Sequence, residues 1–135
     1  MSTSAAKLAE LKRRARDASQ HAYAPYSRFA VGAAVLTGSG EIFAGANVEN
    51  ASYGLSICAE RNAIFQAVAH GARTIEAIAV YTPTAAPTPP CGACRQVLAE
   101  FGTDILVVCC TDDDSGEQRY PLPDLLPHAF GPGQL

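Results

Sequence analysis

The sequence predicts an α/β fold, a three-layer α/β/α sandwich around a mixed sheet of about five strands, in one domain spanning residues 1–135. Three features point there. Two apolar runs flank Thr37-Gly38-Ser39-Gly40, and so short a gap makes them an antiparallel hairpin. A strand, a helix and a second strand succeed one another between Ala77 and Cys110, which favours a parallel pair joined by a right-handed crossover. Helical segments precede and interleave these strands, enough to cover both faces of one sheet.

Taken in order, Leu8, Leu11, Ala15 and Ala18 recur at helical spacing, so residues 5–22 are expected to form an amphipathic helix that Pro25 ends. Phe29 to Leu36 and Ile42 to Val48 are the hairpin strands. Cys58 to His70 carries Ala63, Ile64, Ala67 and Val68 on one face and stops at Gly71, a helix ending. Ala77 to Tyr81 is a short buried strand, followed by the proline-rich loop Thr82 to Pro90. Cys91 to Phe101 is the next helix, closed by Gly102. Ile105 to Cys110 is a continuous apolar run, the mark of a strand covered on both faces. After the acidic turn Thr111 to Glu117 come a last strand, Gln118 to Leu122, and a last helical turn, Pro123 to Leu126. Residues 1–4 and 131–135 are expected to be flexible tails. Folds of this kind place their sites at the strand-to-helix transitions on one end of the sheet.

Composition narrows the function classes. With 48% hydrophobic and 17% charged residues the chain has the means to fold, and 135 residues suit one core. A net charge of −3 offers no general basic field, so a nucleic-acid polymer is not expected as partner. Lys12, Arg13, Arg14 and Arg16 share their stretch with Glu10 and Asp17, the pattern of a solvated helix face. No run approaches the ~20 apolar residues of a membrane span, and Met1-Ser2-Thr3-Ser4 leads into charged residues, so a cytoplasmic location without a membrane partner is expected. In a reducing compartment five cysteines serve more often as metal ligands, catalytic groups or core residues than as disulfides.

Three of the cysteines stand at predicted helix starts: Cys58 at one, Cys91 and Cys94 of Pro90-Cys91-Gly92-Ala93-Cys94 at another. Two helix starts meeting at one sheet end bring the three thiols together. The positive end of a helix favours the thiolate, and thiolates suit Zn²⁺. Three protein ligands leave the fourth tetrahedral position open, as in catalytic rather than structural zinc sites. Two other readings stay open. Cys109 or Cys110 completes a closed site, making the chain a structural-zinc interaction module, although a buried run suits them better as small hydrophobes. Alternatively Cys91 and Cys94 form a thioredoxin-like redox pair, which leaves Cys58 and Glu60 without a role.

Glu60 follows Cys58 by two residues. In a first helical turn an acid is worth about 0.3–1 kcal/mol and nothing more. Beside a metal-activated water it has a better use, taking a proton and handing it to the substrate. That role predicts a pKa raised by burial. Three thiolates also outweigh the charge of Zn²⁺. The helix ends offset part of the excess, and Arg61 and Arg95 are candidate donors to sulfur, Arg95 being equally well placed to be a surface side chain.

Cys58-Ala59-Glu60 with Pro90-Cys91-Gly92-Ala93-Cys94 resembles the zinc-deaminase signature, in a form with Cys where His is usual. The surrounding blocks Tyr26 to Ala34, Asn47 to Gly54, Cys91 to Gln96 and Leu125 to Phe130 are similar to the short, homotetrameric cytidine deaminases, from about residue 8 to 130. The resemblance implies hydrolytic deamination of cytidine and 2′-deoxycytidine, in pyrimidine salvage, with one Zn²⁺ per subunit. It places Cys58, Cys91 and Cys94 as ligands and Glu60 as proton carrier. Phe29 would pack against the pyrimidine, with Ala59 among the substrate-binding residues. Asn47 and Glu49 would hold the ribose, chiefly its 3′-hydroxyl; at i and i+2 near a strand end they face the same way. Ala51, Tyr53 and Phe130 would complete a neighbouring subunit's site in the homotetramer. A deaminase of another cytosine nucleoside, such as blasticidin S, is the alternative, and Asn47 and Glu49 favour an ordinary nucleoside.

Overall fold

Helix α1, Ala5–Ser19, begins where Ser4 accepts the Lys7 amide hydrogen at 3.2 Å. The computed structural model describes residues 3–135, so Met1 and Ser2 of the expected N-terminal tail lie outside the described residues, and Ser4 caps the helix. The helix stops short of residue 22. Ser19 donates its hydroxyl back to the Arg16 carbonyl, and the His21 and Ala22 amides reach only three residues back, so the last turn tightens and unwinds. Pro25 lies beyond this ending and does not cause it.

The sheet has five strands in the order β2-β1-β3-β4-β5. Strand β1, Gly32–Thr37, pairs antiparallel with both β2, Ile42–Ala46, and β3, Ile75–Tyr81. Strand β4, Leu106–Cys110, runs parallel to β3, as the strand-helix-strand order predicts, and β5, Gln118–Pro121, closes the far edge antiparallel to β4. Strand β1 starts three residues later than its apolar run. Arg28 has φ +59°, which turns the chain, and Phe29 and Val31 bond to the Asn47 side chain instead of to a strand.

Side-chain alternation sorts the core into two layers. Ala34, Leu36, Ala77, Ala79 and Val108 face Leu8, Leu11 and Ala15 of α1. Ala33, Val35, Ile78, Val80 and Val107 face the opposite layer, with α2 (Ala59–Ala69) and α3 (Gly92–Ala99). The small residues on the strands let the helices come close. A Cβ on Gly32 would sit 1.8 Å from the Ala15 carbonyl oxygen, and one on Gly45 would sit 2.6 Å from the Ala63 nitrogen. Both glycines are therefore required by helix-to-sheet approach.

The basic run on α1 is not simply a solvated face. Lys12 pairs with Glu117 at 2.6 Å and Arg16 with Asp112 at 3.2 Å, so the acidic turn after β4 neutralises part of it. The last helix, α4, is Leu122–Leu125, one residue earlier than expected. At the C-terminus Pro132–Gln134 form a 3-10 turn in which the Gln134 side chain accepts the Gly131 amide hydrogen. No helix of the described residues is long and apolar enough to cross a membrane.

Candidate metal centre and active-site cavity

Cys58 and Cys91 are the N-cap residues of α2 and α3, and neither sulfur accepts a capping backbone N–H of its own helix. Both sulfurs turn toward a common point, which Cys94 reaches from the first turn of α3. The Cys58–Cys91 and Cys91–Cys94 sulfurs are 3.9 and 3.5 Å apart, and all three lie within 4.8 Å of one another. Ligands ~2.3 Å from a tetrahedral zinc are about 3.8 Å from each other, so the thiols fit that ion. Cys109 and Cys110 do not join them. Cys109 packs in the α2–α3 layer and Cys110 in the α1 layer, where burial pushes their thiols up to about 12 and about 11. That removes the closed four-cysteine site. The three thiols form one group, so Cys91 and Cys94 are not an isolated redox pair.

The thiols are electrostatically unequal. A hydrogen bond with Cys94, reinforced by Arg61 and Cys91, pulls Cys58 down to about 5. The same pairing pushes Cys94 up, and a divalent cation held by these thiols would displace their protons. Arg61 donates Nη2 to the Cys58 sulfur at 3.4 Å, and its Nε is buried without a partner among the described residues. Arg95, by contrast, makes no hydrogen bond to a thiol among the described residues, and it is half-buried. Its Nε donates to the Pro90 carbonyl at 2.7 Å and its Nη1 to the Leu125 carbonyl at 2.9 Å.

Glu60, 5% exposed, lies in the first turn of α2. Burial raises its pKa, and the negative charge of Cys58 adds to the effect. Cys58, Ala59, Glu60 and Cys91 form one wall of a 270 Å³ cavity, and Phe29, Asn47 and Glu49 line it too. The structure thus brings most of the sequence-predicted residues to one place. Ala51, Tyr53 and Phe130 stay outside that cavity. They are exposed, Tyr53 at 75% and Phe130 at 58%.

Asn47 and Glu49 lie just beyond the end of β2, and both already hold this chain's own backbone. The Asn47 amide donates to the Phe29 carbonyl at 2.8 Å and accepts the Val31 amide hydrogen at 2.9 Å. The Glu49 carboxylate accepts the Tyr26 and Ser27 amide hydrogens and the Ser27 hydroxyl, which holds its pKa low, the hydroxyl being the main cause. Asn47 keeps one donor and one acceptor site, and Glu49 one acceptor site, for a ligand. Sequence reasoning missed Ser27, Thr82, Thr88 and Pro89 on the cavity wall. The signal for two of them was present: Thr88 and Pro89 immediately precede Pro90-Cys91, and whatever flanks a ligand also flanks the space in front of it.

Comparison with known proteins agrees with this geometry. Residues 5–110 match the family model described as the cytidine and deoxycytidylate deaminase zinc-binding region. A cytidine deaminase of Halalkalibacterium halodurans is 49% identical over 120 residues, covering 89% of this chain and 91% of the relative. A cytidine deaminase of Sporosarcina psychrophila is 44% identical over 120 residues, 89% of this chain and 88% of the relative. The crystal structure of a cytidine deaminase from Burkholderia pseudomallei superposes with a TM-score of 0.85 at 49% identity, covering 90% of this chain and 98% of that one.

Proposed function

The chain belongs to the cytidine and deoxycytidylate deaminase family, and from that premise we propose that it hydrolyses cytidine to uridine and ammonia, and 2′-deoxycytidine to 2′-deoxyuridine, in pyrimidine salvage. The observation that carries the reading is the convergence of three thiols, two of which, Cys58 and Cys91, line a small-molecule cavity together with the buried carboxyl of Glu60. A structural-zinc module has no use for that cavity.

In this reading Cys58, Cys91 and Cys94 hold Zn²⁺, which supplies the Lewis acidity that makes a water nucleophilic near neutral pH. Glu60 takes a proton from the attacking water and delivers it to the ring nitrogen beside the carbon that bears the amine. Water adds to that carbon, ammonia leaves, and the carbonyl of uridine remains. A carboxyl whose pKa is raised by burial suits a group that must both accept and return a proton. Arg61 offsets the negative charge of the thiolates through Cys58. Phe29 packs against the ring, and Ala59 lines the base between Cys58 and Glu60. The unused donor of Asn47 and acceptor of Glu49 hold the 3′-hydroxyl, which both nucleosides possess. That shared contact supports both substrates and disfavours blasticidin S-type compounds.

Ala51, Tyr53 and Phe130 serve a neighbouring subunit's site in a homotetramer; their exposure outside their own cavity supports this. Five free cysteines fit a reducing compartment, the cytoplasm. The test is ammonia release and the ultraviolet absorbance change on adding cytidine or 2′-deoxycytidine to zinc-loaded enzyme, with light scattering to give the subunit number. Zinc-loaded protein inert toward both nucleosides would overturn the proposal.

A further inference from the structure

Helix α3 starts without the device that starts most helices. Its N-cap is Cys91, whose sulfur turns to the thiol group instead of accepting a backbone N–H, and its first turn carries no acidic residue. It is eight residues long, too short for its own hydrogen bonds to hold the first turn firmly. Something else must aim it. Arg95 donates to the carbonyl of Pro90, the peptide that leads into Cys91, and its other arm donates to the carbonyl of Leu125 at the end of α4. Gln96, the next residue, donates to the Phe130 carbonyl at 2.9 Å. All three acceptors lie outside α3, and two belong to the C-terminal segment.

We propose that Arg95 is a positioning residue: it sets the direction in which the chain enters α3, and with it the place of the Cys91 sulfur, and it ties that setting to the C-terminal segment 122–130. The chemistry asks for arginine. A planar guanidinium serves two carbonyls in two directions at once, whereas a lysine ammonium on a flexible stem holds one geometry poorly. The C-terminal segment is thereby part of the frame of the metal centre. This rests on the reading of Cys91 as a ligand.

The test compares zinc affinity, by chelator competition, and the thiolate absorption of the cobalt-substituted protein in the full-length parent, Arg95→Met, Arg95→Lys and Cys91→Ala. Arg95→Met is expected to bind zinc roughly 10–100-fold more weakly and to shift the cobalt–thiolate bands, with Arg95→Lys in between. Parental affinity and bands in Arg95→Met, whatever its Tm, with zinc lost from Cys91→Ala, overturn the inference alone. Zinc retained at parental affinity by Cys91→Ala overturns the ligand reading and the inference with it. Should Arg95→Met not fold, the same measurements on Arg95→Lys decide, and parental values there overturn the proposal. Failure of both variants to fold makes Arg95 a folding residue and overturns it as well.

Discussion

Helices α2 and α3 both begin at a cysteine whose sulfur leaves its capping position for the metal centre, yet the residues that follow do different work. After Cys58, α2 presents Glu60 to the cavity and Arg61 to the Cys58 sulfur. After Cys91, α3 contributes Cys94 and then turns Arg95 and Gln96 outward, to Leu125 and Phe130. Their support differs too. Helix α2 is eleven residues long and seated on the sheet through Gly45, with Asn62 donating to the Ala46 carbonyl at 2.7 Å, which leaves Glu60 and Arg61 free to serve the site. Helix α3 is shorter and spends its polar side chains on being held. A helix with a firm seat can carry reactive groups; one without it must use those positions for anchorage.

The sharpest way to break this contrast is to remove one ligand. Cys94→Ala is expected to lose stoichiometric zinc and with it all measurable deamination, and metal analysis of the purified variant checks it. Next comes the chemical residue of α2. Glu60→Ala should keep zinc and fold while kcat falls about 10²–10⁴-fold, measured by ammonia release; near-parental turnover would remove Glu60 from the chemistry. The seat of α2 is tested by Gly45→Ala. Its Cβ meets the Ala63 backbone nitrogen, so stability should fall by about 1–3 kcal/mol in urea unfolding. A parental value would show that the seat does not matter and that α2 is held by other means.

The smallest effect lies outside both helices and gives a baseline. Burial pushes the Glu117 carboxyl up, but its bonds to Lys12 and Arg119 outweigh that and hold it below its usual range. A carboxyl whose pKa is lower in the folded state stabilises the fold above its unfolded pKa and loses that contribution as pH falls through the folded value. Lys12→Met should therefore cost up to about 1 kcal/mol at pH 7, with the difference from the parent vanishing at more acid pH, and zinc content unchanged. Unfolding curves at both pH values check it.

Much of the fold was legible because its signals are local. The hairpin followed from Thr37-Gly38-Ser39-Gly40, the layers from apolar periodicity, and the order of strands and helices from both. Boundaries were less legible, and for a stated reason in each case. The end of α1 depends on the Ser19 hydroxyl bonding back to Arg16, and the late start of β1 on Asn47 bonding to Phe29 and Val31. In both places a side chain takes a backbone partner that periodicity assigns to a helix or strand. Within the site, Cys58, Glu60, Cys91 and Cys94 could be read from spacing, but Thr82 and Ser27 could not, because nothing in their neighbourhood marks them as facing the cavity.

By itself the sequence determined which groups the chain owns and which of them travel together on one element. Cys58 must accompany Arg61, and Cys91 must accompany Cys94 and Arg95, because three or four residues is one helical turn, and Glu60 travels with Cys58 in the same first turn. Tertiary structure alone decided what those elements meet. It excluded Cys109 and Cys110 from the thiol group by burying them in the two core layers. It gave Lys12 and Arg16 the acidic turn as partner, set Asn47 and Glu49 to hold the chain around Phe29, and aimed Arg95 at Pro90 and Leu125 rather than at sulfur. The physical reason is the same throughout: a side chain's type is written at its position, but the acceptor that satisfies it stands on whatever part of the chain packing brings within about 3 Å.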